Sequence, residues 1–341
     1  MIDYERLEKA YQNEKFYALQ LEIGDVCEQG CIYCYMNALE KPQNTLSDDQ
    51  IDAILRQSQD MGITAIEWLG GEPLLRHSIF KHMETAAEFG LRNNVWTGGL
   101  PLRDDEIVNK LSQLCQHGLV SVHVSTVNRD LYKQFHPNRP AHDVDVILDG
   151  VQRLLDKGYP PEQMLNSVTF TGMQSAEDMI ETIDYFEDHF QIKTSLNVYH
   201  TYLRPGMNNS ALEGFIPSSE AVRKVYKRYA TQWGVKQFPM NCVNKQYCSA
   251  TLAVLCTGQI TPCATIRDPQ SPSIHDGDSF SDIADHHHDD LVYTYFRDPA
   301  NLPQGCRSCN LADQCFGCRS RAYAAGRGIY GKDPRCYKTR A

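Results

Sequence analysis

The 341-residue chain carries 33 Lys and Arg against 43 Asp and Glu, giving a formal net charge of −10. That balance excludes general electrostatic attraction to nucleic acid or to anionic membranes. No apolar run approaches the roughly 20 residues of a membrane span, and the charged opening MIDYERLEKAYQNEK has no signal-peptide core. A cytoplasmic setting is therefore expected, where thiols stay reduced and thirteen cysteines point to metal ligation rather than cross-linking.

Residues 1–15 read as a helix. The first predicted strand is YALQLEIG, with Leu19, Leu21 and Ile23 on one face and Gln20 and Glu22 on the other. SDDQIDAILRQSQDMG follows as a helix, opened by the capping-box pair Ser47 and Gln50 and stopped at Gly62. Further strands are predicted at TAIEWL, NNVWT, LVSVHVS, LNSVTFT and KTSLNVY. Helical patterns at DDEIVNKLSQLCQHG, DVDVILDGVQRLLDKG and AEDMIETIDYFEDHF separate them. Six successive βα units predict an α/β fold, a partial (β/α)6 TIM-type barrel over residues 16–235. Its mouth lies at the C-terminal ends of the strands.

After residue 235 this rhythm stops, and nine of the thirteen cysteines fall between Cys242 and Cys336. LAVLCTGQITPC reads as a hairpin turning at Thr257-Gly258, and residues 268–290 read as a polar loop. Residues 236–341 are expected to form a small cysteine-rich α+β domain. It is too poor in aliphatic side chains to bury much core without a metal staple.

CEQGCIYC sets Cys27, Cys31 and Cys34 in the connection after the first strand, at the mouth. Three thiolates on one loop suit a metal centre that keeps one position open. From spacing alone, a zinc loop completed by a distant ligand is the alternative. The second strand ends in WLGGEPLL, where Gly70 and Gly71 permit close backbone approach and the Glu72 carboxylate can hold an ammonium group. The C-x3-C-x2-C spacing, with Tyr33 before the last cysteine and GGEP one βα unit later, resembles the radical S-adenosylmethionine (SAM) superfamily. The resemblance implies a [4Fe-4S] cluster on Cys27, Cys31 and Cys34, its fourth iron chelated by the amino and carboxylate groups of SAM. Reductive cleavage of SAM would give methionine and a 5′-deoxyadenosyl radical that abstracts a substrate hydrogen.

By motif position, Tyr33, Gly70, Gly71, Glu72 and Pro73 would contact SAM. WTGG at 96–99 falls where the family often has a Thr-Asn-Gly strand end, with Gly98 in place of the Asn. Ser125 and Arg139 match a Ser and an Arg that bind the ribose and carboxylate of SAM in relatives. Read from the residues alone, Ser125 is equally a strand-end hydroxyl and Arg139 a surface ion pair.

The C-terminal spacing C-x9-G-x4-C…C-x2-C-x5-C, with two residues between Cys315 and Cys318, resembles the SPASM extension of radical SAM enzymes. That extension implies two auxiliary [4Fe-4S] clusters, making three in all. The first would be held by Cys242, Cys248, Cys263 and Cys318, the second by Cys306, Cys309, Cys315 and Cys336. The alternative is a pair of four-cysteine zinc sites. Cys115 and Cys256 are left as buried free thiols, and His286, His287 and His288 read as solvated. Full thiolate ligation favours electron transfer, so the expected outcome is oxidative modification of the substrate.

The spacing is closest to that of anaerobic sulfatase maturases and related peptide maturases. Ala264, however, stands where those maturases carry a proton-accepting Asp, which argues against formylglycine formation. The expected substrate is a ribosomally made peptide or protein, with a small metabolite or tetrapyrrole as the alternative. A non-catalytic iron–sulfur or zinc protein is the competing class. Expected partners are a flavodoxin- or ferredoxin-type electron donor and a separate peptide-recognition protein. Tyr202 and Arg204, after the sixth strand, are candidate contacts for SAM or substrate.

Overall fold

A computed structural model describes residues 2–38, 42–199, 213–240 and 243–338. Cys242, Tyr202 and Arg204 lie outside the described residues. Helix α1 (Tyr4–Gln12) precedes six parallel strands: β1 (Ala18–Glu22), β2 (Ala65–Leu69), β3 (Arg92–Thr97), β4 (Leu119–His123), β5 (Met164–Phe170) and β6 (Lys193–Val198). The chain returns through α2 (Asp48–Asp60), α3 (Ile79–Glu88), α4 (Asp105–Leu114), α5 (Arg129–Phe135), α6 (Asp143–Asp156) and α7 (Ala176–Phe190), and α8 (Ser219–Gln232) follows β6. The capping box at α2 is present: Ser47 Oγ accepts from Gln50 N at 3.1 Å, and Gln50 Oε1 accepts from Ser47 N at 2.8 Å.

Strand alternation decides which side faces the helices. Leu19, Leu21, Ile66, Trp68, Val95, Val120 and Val122 share one core with Ile51, Ile54, Met83, Leu111 and Ile147 of the helices. Each such fully buried aliphatic side chain contributes about 1.5–3 kcal/mol. Gln20, Glu22, Glu67, Ser121 and Ser167 take the other face, where Ser121 Oγ donates to Ser167 Oγ at 3.1 Å. Curvature encloses this polar face, so Glu22 is 0% and Glu67 4% exposed. The inner face of the sheet is thus polar, with both carboxylates withdrawn from solvent.

The predicted hairpin forms from β7 (Thr251–Val254) and β8 (Ile260–Thr261), turning through Gly258 at φ +84°. β7 also pairs in parallel with β1, Leu19 opposite Leu252. Among the described residues the result is one open, eight-stranded sheet in the order β6-β5-β4-β3-β2-β1-β7-β8. The cysteine-rich region therefore extends the barrel sheet, and the sheet runs across residue 235.

The reading of 268–290 as a loop is corrected for its second half. Residues 280–291 form α10 (Phe280–His286) and α11 (His288–Leu291), and Phe280, Ile283, Ala284 and Leu291 are buried in the barrel core. The charged DHHHDD run masked this apolar spacing. His286 and His287 are exposed, while His288 is half-buried with Nε2 2.6 Å from the Glu14 carbonyl oxygen. Among the described residues no helix is long and apolar enough to cross a membrane.

Candidate active site at the barrel mouth

Cys27, Cys31 and Cys34 sit on the loop beyond β1, and Cys27 is buried. Its thiol is pushed up to about 12, by burial first and then by Glu72 and Cys34 nearby. The Gln29 backbone N–H donates to Cys27 Sγ at 3.4 Å. Gly71 N donates to Gly24 O at 2.9 Å and Glu72 N to Val26 O at 2.7 Å. A Cβ on Gly71 would lie 2.1 Å from Val26 O, and one on Gly70, at φ +140°, 2.5 Å from Gly24 O. The close approach these glycines permit is to the backbone of the cysteine loop. Pro73 then opens a short 3-10 turn, Pro73–Leu75.

Glu72 is 4% exposed and accepts three hydrogen bonds: from Leu74 N at 3.1 Å, Thr97 Oγ1 at 2.8 Å and Gly98 N at 2.7 Å. Burial outweighs these donors and pushes its carboxyl up to about 7. A carboxylate in that state is stabilised by any cation brought beside it. The WTGG segment thus reaches the site through Thr97 and a backbone amide rather than through a side chain at 98. Gln29 Nε2 donates to Gly98 O, and a Cβ on Gly98 would meet Gln29 Nε2 at 2.7 Å. Gln29 fills the space that a side chain at 98 would need.

Tyr33 turns its hydroxyl to His123 Nε2 at 3.1 Å and Ser125 Oγ at 3.2 Å, with its ring edge-on to Phe135. Ser125 Oγ also accepts from Thr169 N at 3.0 Å, which ties β4 to β5. Burial pushes His123 down to about 4, so the ring is neutral at physiological pH. Arg139 Nε donates to Asp143 Oδ2 at 2.6 Å, and its Nη1 lies 4.0 Å from Glu28 on the cysteine loop. Arg139 is thus half-buried and held between the cysteine loop and the start of α6. His123, Gln29 and Thr97 were not singled out from the sequence. For His123 the available signal was its inward position in the alternation of VHVS.

The C-terminal cysteines fall into two groups. Cys248 lies in α9 (Lys245–Ser249), Cys263 follows β8, and, after the short α12 (Gln304–Arg307), Cys318 caps α13 (Arg319–Ala324). All three lie near the buried Tyr293, whose phenol is raised by burial first and then by Cys263, Cys248 and Cys318. In the second group the Cys306 thiol is pushed up to about 11, by burial first and then by Cys315, Cys336 and Cys309. Those four cysteines line one cavity of about 770 Å³. Cys115 and Cys256 are buried outside both groups.

Among the described residues no three His, Cys, Asp or Glu side chains converge as ligands of a single metal ion. Thiols raised by burial, as at Cys27, Cys263 and Cys306, resist ionisation until a strongly cationic centre is present. Four thiols around a cavity of this size fit a group much larger than one ion. The cysteine loop beside Glu72 has the same donor chemistry, with three thiols rather than four.

The radical SAM superfamily profile matches residues 21–209, more than half of the chain. The chain belongs to the radical SAM superfamily. Membership of this superfamily implies a [4Fe-4S] cluster and SAM, and places the protein among oxidoreductase-type catalysts. Curated relatives include a probable GTP 3′,8-cyclase of Sulfurisphaera tokodaii, 23% identical over 217 residues, 62% of this chain and 64% of that protein. Another, from Methanothermobacter thermautotrophicus, is 29% identical over 169 residues, 48% of this chain and 52% of that protein. This radical SAM chain thus spans less than two thirds of the length of the curated relatives it matches.

Similar solved structures include Streptococcus suis SuiB bound to SAM, with a TM-score of 0.66 and 18% identity over 98% of this chain and 80% of that one. SuiB bound to its precursor peptide SuiA gives 0.67 and 17% over 97% and 78%. The structure of anSMEcpe with bound SAM and the Cp18Cys peptide gives 0.68 and 14% over 94% of each chain. These likenesses show a shared fold, the mostly parallel, open radical SAM barrel.

Proposed function

We propose that this radical SAM protein is a SPASM-type enzyme that oxidatively modifies a ribosomally made peptide or protein. The observation that carries it is the sorting of the C-terminal cysteines: four around one cavity and three around Tyr293, in the grouping expected of two auxiliary clusters. A fold shared with SuiB and anSMEcpe, including their peptide-bound forms, supports a peptide substrate.

Cys27, Cys31 and Cys34 would hold the cluster that binds SAM, and bound SAM supplies a one-electron route to a hydrogen-abstracting carbon radical. Glu72 would hold the SAM ammonium, kept in place by Thr97, Gly98 and Leu74. Tyr33, Ser125 and His123 would shape the wall beside the nucleoside. Enclosure of the barrel's inner face, where Glu22, Glu67 and Glu72 are buried, would limit water at the radical. Cys248, Cys263 and Cys318, with Cys242, would hold one auxiliary cluster, and Cys306, Cys309, Cys315 and Cys336 the other. Residues 16–235 would form the barrel domain and 236–341 the SPASM domain, packed as one sheet.

Anaerobic reconstitution tests the cluster count: about 12 iron and 12 sulfide per chain are expected, three cubes of four. A protein that folds with two zinc ions and no sulfide would overturn the assignment. A small-metabolite substrate is the second reading, favoured by the cyclase relatives, whose similarity covers part of the chain. Assay of reconstituted enzyme with GTP and with candidate precursor peptides separates the two.

A further inference from the structure

We propose that the cavity lined by Cys306, Cys309, Cys315 and Cys336 is the docking face for an acidic, flavodoxin-like one-electron carrier. This rests on the reading that a cluster is held there. The chain is acidic overall, at −10. Yet Arg223, Lys227, Lys236, Lys332 and Lys338 converge on the rim of this one cavity. They arrive from separate stretches: one turn apart on α8, just after it, and from the tail beyond α13. Among the described residues none of the five lies within 4.0 Å of a carboxylate. The acidic residue in the lining, Asp333, is buried and already bonded to Arg321 at 2.8 Å and to Cys318 N at 3.0 Å.

The cations on the rim are not needed to offset the thiolates. Arg319, 2% exposed and bonded to the carbonyls of Ile329 and Gly331 at 2.7 Å, faces Cys318 and Cys306 from the interior. Arg321 lies fully buried beside it and is paired with Asp333. Lys227, Lys236 and Arg223 are instead exposed at the rim of the cavity. The four cysteines are themselves partly exposed, so a docked redox group would approach them without a rearrangement of the chain. Cations without a carboxylate partner among the described residues, set around a partly exposed redox site, fit a partner with an acidic rim around its own cofactor. In the transfer, Cys306, Cys309, Cys315 and Cys336 would hold the reduced cluster from which one electron leaves. The oxidised flavin gains that electron and a proton from solvent, becoming the neutral semiquinone.

The test uses reconstituted holoenzyme and purified oxidised flavodoxin, with dissociation constants measured at low and at moderate salt. Wild-type binding should weaken steeply as salt rises. Lys227→Glu/Lys236→Glu should weaken low-salt binding by at least about tenfold and flatten the salt dependence. Iron, sulfide and the rate of reduction by dithionite should stay at wild-type values, which separates docking from cluster loss. Flavodoxin binding unchanged in a fully loaded charge-reversed protein overturns the proposal. So does a charge reversal that abolishes binding of an acidic precursor peptide while leaving flavodoxin binding intact, because the face would then serve the substrate. Failure of the cluster reading shows independently, as an iron content that Cys336→Ala leaves unchanged.

Discussion

Arg267 Nη1 lies 2.8 and 3.0 Å from the two carboxylate oxygens of Glu22, joining the last residue of β1 to the segment just after Cys263. Tyr35, directly after Cys34, donates its hydroxyl to the same carboxylate at 3.1 Å, and Cys256 N approaches it at 3.3 Å. One fully buried carboxylate thus ties together the three-cysteine loop, the hairpin and the C-terminal region.

Removing one partner of such a pair strands the other. Arg267→Met should destabilise the protein by about 3–5 kcal/mol, since Glu22 would remain buried with only neutral donors. Glu22→Gln combined with Arg267→Met should recover part of that loss. Anaerobic urea unfolding of the singles and the double gives the coupling energy. Losses that simply add would show that the pair is not coupled.

The carboxyl of Glu72 sets a pH dependence whose sign follows from its burial. Its folded value of about 7 lies above its ordinary value, so the folded state binds this proton more tightly than the unfolded chain. The stabilisation is fully present below about pH 4.5 and is lost as pH rises through 7, on the order of 3 kcal/mol. His123 and His136, both pushed down to about 4 by burial, act oppositely and lose stability as pH falls from about 6.5 to 4. The difference between wild type and Glu72→Gln isolates the first contribution. Iron-free Glu72→Gln should melt higher than wild type at pH 8, with the gap closing by pH 5. A gap independent of pH would refute the assignment.

Gly98 and Gln29 compete for one volume. Gly98→Ala should cost about 1–3 kcal/mol by forcing Gln29 from its bond to Gly98 O. Adding Gln29→Ala should restore much of that loss, and so should pairing Gly98→Asn with Gln29→Ala. Thermal unfolding checks the stabilities, and the cluster's EPR response to added SAM shows whether the loop regains its geometry. No rescue in the double variants would mean that Gln29 is not what limits position 98.

The auxiliary cysteines should be separable from SAM cleavage. Cys318→Ala or Cys336→Ala should lower iron and sulfide by about a third each while slow, substrate-free formation of 5′-deoxyadenosine persists. Replacing Cys27, Cys31 and Cys34 together by Ala should abolish that formation. Circular dichroism guards against local unfolding as the cause, because these sites also hold the C-terminal region together. Abolition of cleavage in a folded Cys336→Ala protein would contradict the division of roles.

The six βα units were legible because each strand and helix carries its own apolar period, and Ser47 with Gln50 marked a helix start by local chemistry alone. The grouping of Cys306 with Cys309, Cys315 and Cys336 came from motif position in the SPASM resemblance, since short spacing alone would set Cys318 rather than Cys336 beside Cys315. The pairing of β7 with β1 was not legible. TLAV is four residues long, and its partner lies more than two hundred positions away, with no local signal connecting the two. Glu22 with Arg267, and Gln29 with Gly98, are likewise long-range encounters between residues whose types suit many other roles. Residues 280–291 were misread for the opposite reason, since a dense run of Asp and His concealed the apolar side of a short helix.

The parallel pairing of β7 with β1 also bears on modularity. Without residues 251–254, β1 would become an edge strand with one row of amide and carbonyl groups unpaired, and ALQLE carries no proline or lysine to blunt it. A chain cut near residue 235 would therefore expose an adhesive margin beside the three-cysteine loop. Exchange of the C-terminal region between relatives should succeed only when the incoming piece brings a strand that can take this place.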